Sequence, residues 1–183
     1  MSLSRIVPEV VVGAVVDAEL RLIGIDPGLR ITGYAVLVSR GRQARVLEAG
    51  VIKTTAKLSI GDRLVELRDG IEEVLSQYQP ASMAVEQLFS HYKHPRTAIA
   101  MGHARGVLLE AAARRGINIE SITPKQAKKT ITGSGAADKI QMQRAIVFEL
   151  ALDRIPEPAD VADAMAIALC LHHRRWTTPE EVQ

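Results

Sequence analysis

Three extended apolar runs precede any helical periodicity in this chain, and only a short turn separates the second from the third. The first, Leu22-Ile23-Gly24-Ile25-Asp26, breaks into Pro27-Gly28; the others cover 32–38 and 44–54 and are joined by Ser39-Arg40-Gly41-Arg42. So short a link dictates antiparallel pairing, because a parallel return needs a crossover of a dozen residues or more. Helical spacing then takes over. Leu64, Leu67, Ile71, Val74 and Leu75 recur on one face behind Ser59, a capping residue, and stop before Pro80. A strand ending at Glu86, a helix over 95–115 and a short strand over 118–122 follow. A helix opened by Thr123-Pro124, another from Asp138 and a last one over 160–174 complete the order. This succession predicts an α/β architecture: a mixed five-stranded sheet flanked by helices on both faces.

Four acids fall where these elements end or begin. Asp26 and Glu86 each close an apolar strand, and Asp160 and Asp163, three apart, share a face of the last helix. In an open α/β sheet the carboxyl ends of neighbouring parallel strands converge on one edge, where ligands bind. Carboxylates about 5 Å apart repel by roughly 3 kcal/mol at an effective dielectric of 20, so a cluster of them needs cations. Oxygen donors without sulfur or imidazole suit hard ions, Mg²⁺ or Mn²⁺. Taken singly, Asp26 also fits a turn and Asp160 after Pro158 fits a helix cap. Glu86 is harder to explain that way, since it ends a strand otherwise made for burial.

A chain of 183 residues with 47% hydrophobic content has enough material for one core. One domain over 21–175 is expected, with 1–20 as an N-terminal extension and 176–183 as a short polar tail. The apolar stretch from Val10 to Val16 is too short to span a bilayer, and Arg5 alone is a poor start for a signal peptide, so no membrane segment is expected. The single cysteine, Cys170, excludes an intrachain disulfide and a sulfur-rich metal site, and fits a core position in a cytoplasmic protein. His91 and His94 lack partners at zinc-finger spacing, and His172 and His173 read as surface residues at a helix end. Positive charge is concentrated: residues 124–144 and 91–115 each carry five Lys or Arg against one acid, a surface for a polyanion.

The order of motifs is that of a known family. Gly24-Ile25-Asp26-Pro27-Gly28 with Thr32-Gly33-Tyr34 resembles the opening of the RuvC family of Holliday junction resolvases. The likeness continues through Val85-Glu86-Gln87 with Phe89, Ala104-Arg105-Gly106, Lys128-Lys129-Thr130, Gly133-Ser134-Gly135-Ala136 with Lys139, and Ala159-Asp160-Val161-Ala162-Asp163-Ala164. It spans about residues 22–172, and five blocks in order are far more specific than one Asp-Pro-Gly. The 20 residues ahead of the first strand and the stretch from Ser90 to Arg96 depart from the family pattern.

The resemblance implies a ribonuclease-H-like fold and a homodimeric endodeoxyribonuclease that nicks two strands of a four-way DNA junction symmetrically. It implies Asp26, Glu86, Asp160 and Asp163 as ligands of two Mg²⁺ ions per active site, with Mn²⁺ able to substitute. It further implies hydrolysis leaving a 5′ phosphate and a 3′ hydroxyl, and branch-migration partners of the RuvA and RuvB type. Lys139 is the expected catalytic cation. Lys125, Lys128, Lys129 and Arg105 are expected on the DNA surface, and Phe89 and Tyr92 against unpaired bases, where stacking contributes about 1–3 kcal/mol per base. For dimerisation the stripe of Ala98, Gly102 and Gly106 would admit a second backbone, or else pack on the sheet. The alternatives are a ribonuclease-H-like nuclease acting on RNA, a catalytically silent junction-binding protein, and a sugar-kinase or actin-like nucleotide binder. The last needs two such domains, more than this length allows.

Overall fold

The structure, a computed structural model, describes residues 19–88 and 95–176. Five strands form one sheet in the order β3-β2-β1-β4-β5. β1 (Leu20–Asp26), β2 (Ile31–Arg40) and β3 (Gln43–Lys53) are antiparallel neighbours, whereas β4 (Ser82–Glu86) and β5 (Asn118–Ile122) run parallel to β1. The link between β2 and β3 is tighter than the turn from Ser39 to Arg42 that was expected. Strand pairing reaches Arg40 opposite Gln43, leaving a two-residue turn in which Gly41 takes φ +53°.

Side-chain alternation along β1 decides which helices cover which face. Ile23 and Ile25 point to one side with Val36, Met83 and Val85, and meet α1 (Ile60–Tyr78) and α2 (Pro95–Arg114) through Leu67, Ile71, Leu75, Leu108 and Ala112. Leu22, Ala35, Leu37, Ala84 and Ile122 point to the other side, onto α5 (Ala159–Trp176) and the smaller α3 (Pro124–Thr132) and α4 (Lys139–Glu149). A strand places alternate residues on opposite faces, so Asp26, two beyond Gly24, and Glu86, two beyond Ala84, belong to the α5 side.

Local chemistry sets the helix starts. Ser59 accepts from the Asp62 amide, and both Thr123 with Gln126 and Asp138 with Gln141 form reciprocal capping boxes. α5 begins at Ala159, so Asp160 lies within the first turn and is not the cap. The helix is buried almost all round from Val161 to Leu171, and Cys170 is a core residue as expected.

His172 departs from the surface position expected of it: it is 2% exposed. Its Nδ1 lies 2.7 Å from Ser39 Oγ and its Nε2 3.3 Å from the Arg42 carbonyl, while Trp176 Nε1 donates to the same serine. Donation from Nε2 to the carbonyl leaves Nδ1 as acceptor for the serine hydroxyl, a neutral imidazole. Burial accordingly holds its pKa down. Because Trp176 belongs to α5 and joins this network, the helix runs past the expected end of the domain. No helix among the described residues is long and apolar enough to cross a membrane.

The stripe on α2 does not pack on the sheet. Nothing lies within 4 Å of a Cβ built at Gly102 or Gly106, while Ala104, Leu108, Ala111 and Ala112 take the core face.

Candidate active site

Two glycines bring the last helix onto the first two strands. A Cβ at Gly24 would stand 2.3 Å from the Ala168 amide and 2.4 Å from the Ala164 carbonyl; one at Gly33 would stand 2.1 Å from the Asp160 carbonyl. Gly33 is the antiparallel partner of Asp26. Main-chain contact therefore sets the opening turn of α5 beside the end of β1. The parallel register aligns Ile25 with Val85, so Asp26 and Glu86 emerge side by side on that face.

The loop after Asp26 is tied down from two directions. Thr32 Oγ1 donates to the Gly28 carbonyl at 2.6 Å and accepts from the Gly28 amide at 3.2 Å. Arg63 donates to Thr54 Oγ1 and to the Leu29 carbonyl, which also receives the Thr54 hydroxyl. On the Glu86 side, Arg105 Nε donates to the Glu86 carbonyl and its Nη2 to Ser121 Oγ, stitching β4 to β5. This anchoring task for Arg105, expected only on the DNA surface, was not visible in the sequence.

The four acids feel one another. Burial, then Glu86, Asp163 and Asp160 in that order, push the Asp26 carboxyl from 3.8 up to about 8. Burial and then Asp163 raise Glu86 from 4.5 to about 7. Asp163, on the open side, is raised by desolvation, drawn down by Lys139 and raised by Asp160. Shifts of this size mark a pocket short of positive charge. As the side chains are turned, no three His, Cys, Asp or Glu groups among the described residues stand together as a ready-made ion site. The donor set nonetheless fits hard divalent ions in chemistry and charge, being all oxygen and mutually repelling.

Lys139 and Lys128 line a cavity of about 240 Å³ with Glu86 and Asp163. Lys125 and Lys129 are exposed on α3, the former with its stem against Gly135. On the opposite flank Arg30, Arg63 and Arg96 line a second cleft with Asp160. Arg30 and Arg63 were missed in the sequence because they lie apart in the chain and in no charge run. Phe89 and Tyr92, with His91, Lys93 and His94, lie outside the described residues.

Residues 22–172 match the family model of the crossover junction endodeoxyribonuclease RuvC. The chain belongs to the RuvC family. A RuvC from Rhodopirellula baltica is 51% identical over 152 residues, covering 83% of this chain and 85% of the relative. One from Desulforamulus reducens is 42% identical over 157 residues, covering 86% and 94%. The solved structure of Thermus thermophilus RuvC in complex with a Holliday junction substrate superposes with a TM-score of 0.80 at 32% identity, covering 85% of this chain and 95% of that one. The fold of this RuvC family member is thus the ribonuclease-H-like mixed sheet that the motifs implied.

Proposed function

We propose that the protein resolves four-way DNA junctions by paired, symmetric nicks, through metal-assisted hydrolysis leaving a 5′ phosphate and a 3′ hydroxyl. The observation that carries this reading is the convergence of Asp26, Glu86, Asp160 and Asp163 at one sheet edge, where burial and then their mutual repulsion lift Asp26 to about 8 and Glu86 to about 7. These acids would hold two Mg²⁺ ions, or Mn²⁺ in their place, once their side chains rotate inward on a fixed main chain. Such ions, when bound, supply Lewis acidity to the phosphodiester and acidify a water.

The protein's own groups do the rest. The loop pinned by Thr32 and Arg63 keeps Asp26 from swinging away, and Arg105 does the same for the end of β4. Lys139, whose charge offsets part of the burial that raises the Asp163 carboxyl, would neutralise charge growing on the scissile phosphate. Lys125, Lys128 and Lys129 on one flank, with Arg30 and Arg96 on the other, would hold the flanking phosphates. The open stripe at Gly102 and Gly106 supports a homodimer, whose twofold symmetry would match that of the junction. The family resemblance and the lack of a disulfide support work in the cytoplasm alongside branch-migration proteins of the RuvA and RuvB type.

The test uses labelled four-way junction, flap, duplex and RNA–DNA hybrid substrates, each with Mg²⁺ and with chelator. Symmetric nicks in the junction alone, lost with chelator, are expected. Preferential cutting of the hybrid would reassign the enzyme to RNA, and intact junctions with metal present would make it a binding protein.

A further inference from the structure

The cavity beside the acids has more room and a different lining than phosphate chemistry requires. It measures about 240 Å³ and opens at Glu86, Asp163 and Lys139, but its walls are Pro124, Ala127, Met142, Ile146, Ala162 and Ile167. A backbone phosphate has no use for so apolar a lining. Sites that hold drug-sized ligands run from about 300 to 1,000 Å³, so this one is scaled to a single flat heterocycle.

One amide faces the same space. Gln143, half-buried on α4, lines the cavity, and its side chain makes no hydrogen bond among the described residues. An amide offers one acceptor and two donors, the complement of a base edge. Met142 beside it carries a polarisable sulfur that packs well on aromatic faces. Enzymes that draw a base from its stack receive it in this way, between apolar walls with a polar group on its edge.

From these features we propose that the cavity receives the nucleobase next to the scissile phosphate, and that Gln143 reads its edge. The inference rests on the junction-cutting function proposed above and adds the determinant of where along the strand the cut falls. Unstacked bases at a junction crossing cost little to turn outward, whereas the same step in continuous duplex costs several stacking contacts. The cavity therefore also favours branched over linear DNA. The base is held by Gln143 while Lys139, at the mouth, meets the phosphate joined to it.

The experiment measures single-turnover cutting on a panel of four-way junctions that differ only in the base pairs flanking the cut. Wild type is expected to spread its rates across the panel, and Gln143→Leu, similar in size, to compress the spread by roughly tenfold. A second arm needs no variant: an abasic nucleotide at the flanking position should slow wild type by a similar factor. It should slow Gln143→Leu by less than it slows wild type, since the variant has already lost the contact to the base edge and keeps only the apolar walls. Cutting by Gln143→Leu with the wild-type ranking and spread, or indifference of wild type to the abasic nucleotide, overturns the base-reading cavity while leaving the resolvase reading intact. Failure to cut any junction sinks both.

Discussion

Replacing Asp26 by Asn is expected to stabilise the metal-free protein while ending its activity. The folded chain holds the Asp26 proton up to about pH 8, whereas the ordinary carboxyl releases it near 3.8. A raised folded-state pKa means that the folded form binds more protons than the unfolded one between these values, so stability falls as pH rises through that window. Below about pH 4 both forms are protonated and nothing is lost. At pH 7 the gap is about three pH units, and at 1.36 kcal/mol each the ceiling is about 4 kcal/mol. Asp26 is partly open to water, which screens and relaxes much of this, leaving a penalty of about 1–2 kcal/mol. Asn keeps the shape and removes the charge. Its melting temperature in chelator at pH 8 should exceed wild type by about 2–8 °C, the difference shrinking to nothing towards pH 4. Scanning calorimetry across that range reads the effect directly. Magnesium should raise the melting temperature of wild type and much less that of Asp26→Asn. Destabilisation by Asp26→Asn, or a gain indifferent to pH, refutes the account of a charge-crowded pocket.

Three other outcomes follow from the geometry. Gly33→Ala puts a methyl 2.1 Å from the Asp160 carbonyl; it should cost about 3 kcal/mol in denaturant melts, near the top of the overpacking range, and abolish cutting. Lys139→Ala should lower single-turnover cutting about 100-fold with junction binding little changed, whereas Lys129→Ala should mainly weaken binding and reduce its salt dependence by about one unit of slope. His172→Leu removes the acceptor of the Ser39 hydroxyl in a buried network and should cost about 1–3 kcal/mol by urea unfolding, without altering cutting in the folded fraction.

Residues whose meaning is local were legible before the structure. Ser59, Thr123 and Asp138 announced their helices because a cap acts on amides two or three positions away. Asp26 stood out because Pro27-Gly28 stops the strand beneath it, and Glu86 because an apolar strand rarely closes in an acid. What stayed hidden depends on contacts between distant segments. Nothing around Gly33 shows that a helix 127 residues later lays its backbone there, and Arg63 looks like any helix arginine until Leu29 and Thr54 are seen beneath it. His172 could have been found. An unbroken apolar run from Ala164 to Leu171 is the pattern of a helix enclosed on every side, and the next residue shares that enclosure.

The close seating of α5 at Gly24 and Gly33 also bears on how the protein tolerates change. Because the spacing between the acids is fixed by peptide groups touching peptide groups, volume-conserving exchanges on the other face of the sheet, such as at Leu67, Ile71 or Leu108, bear on stability more than on the chemistry. Redesign of the catalytic centre itself has to begin with those two bare positions.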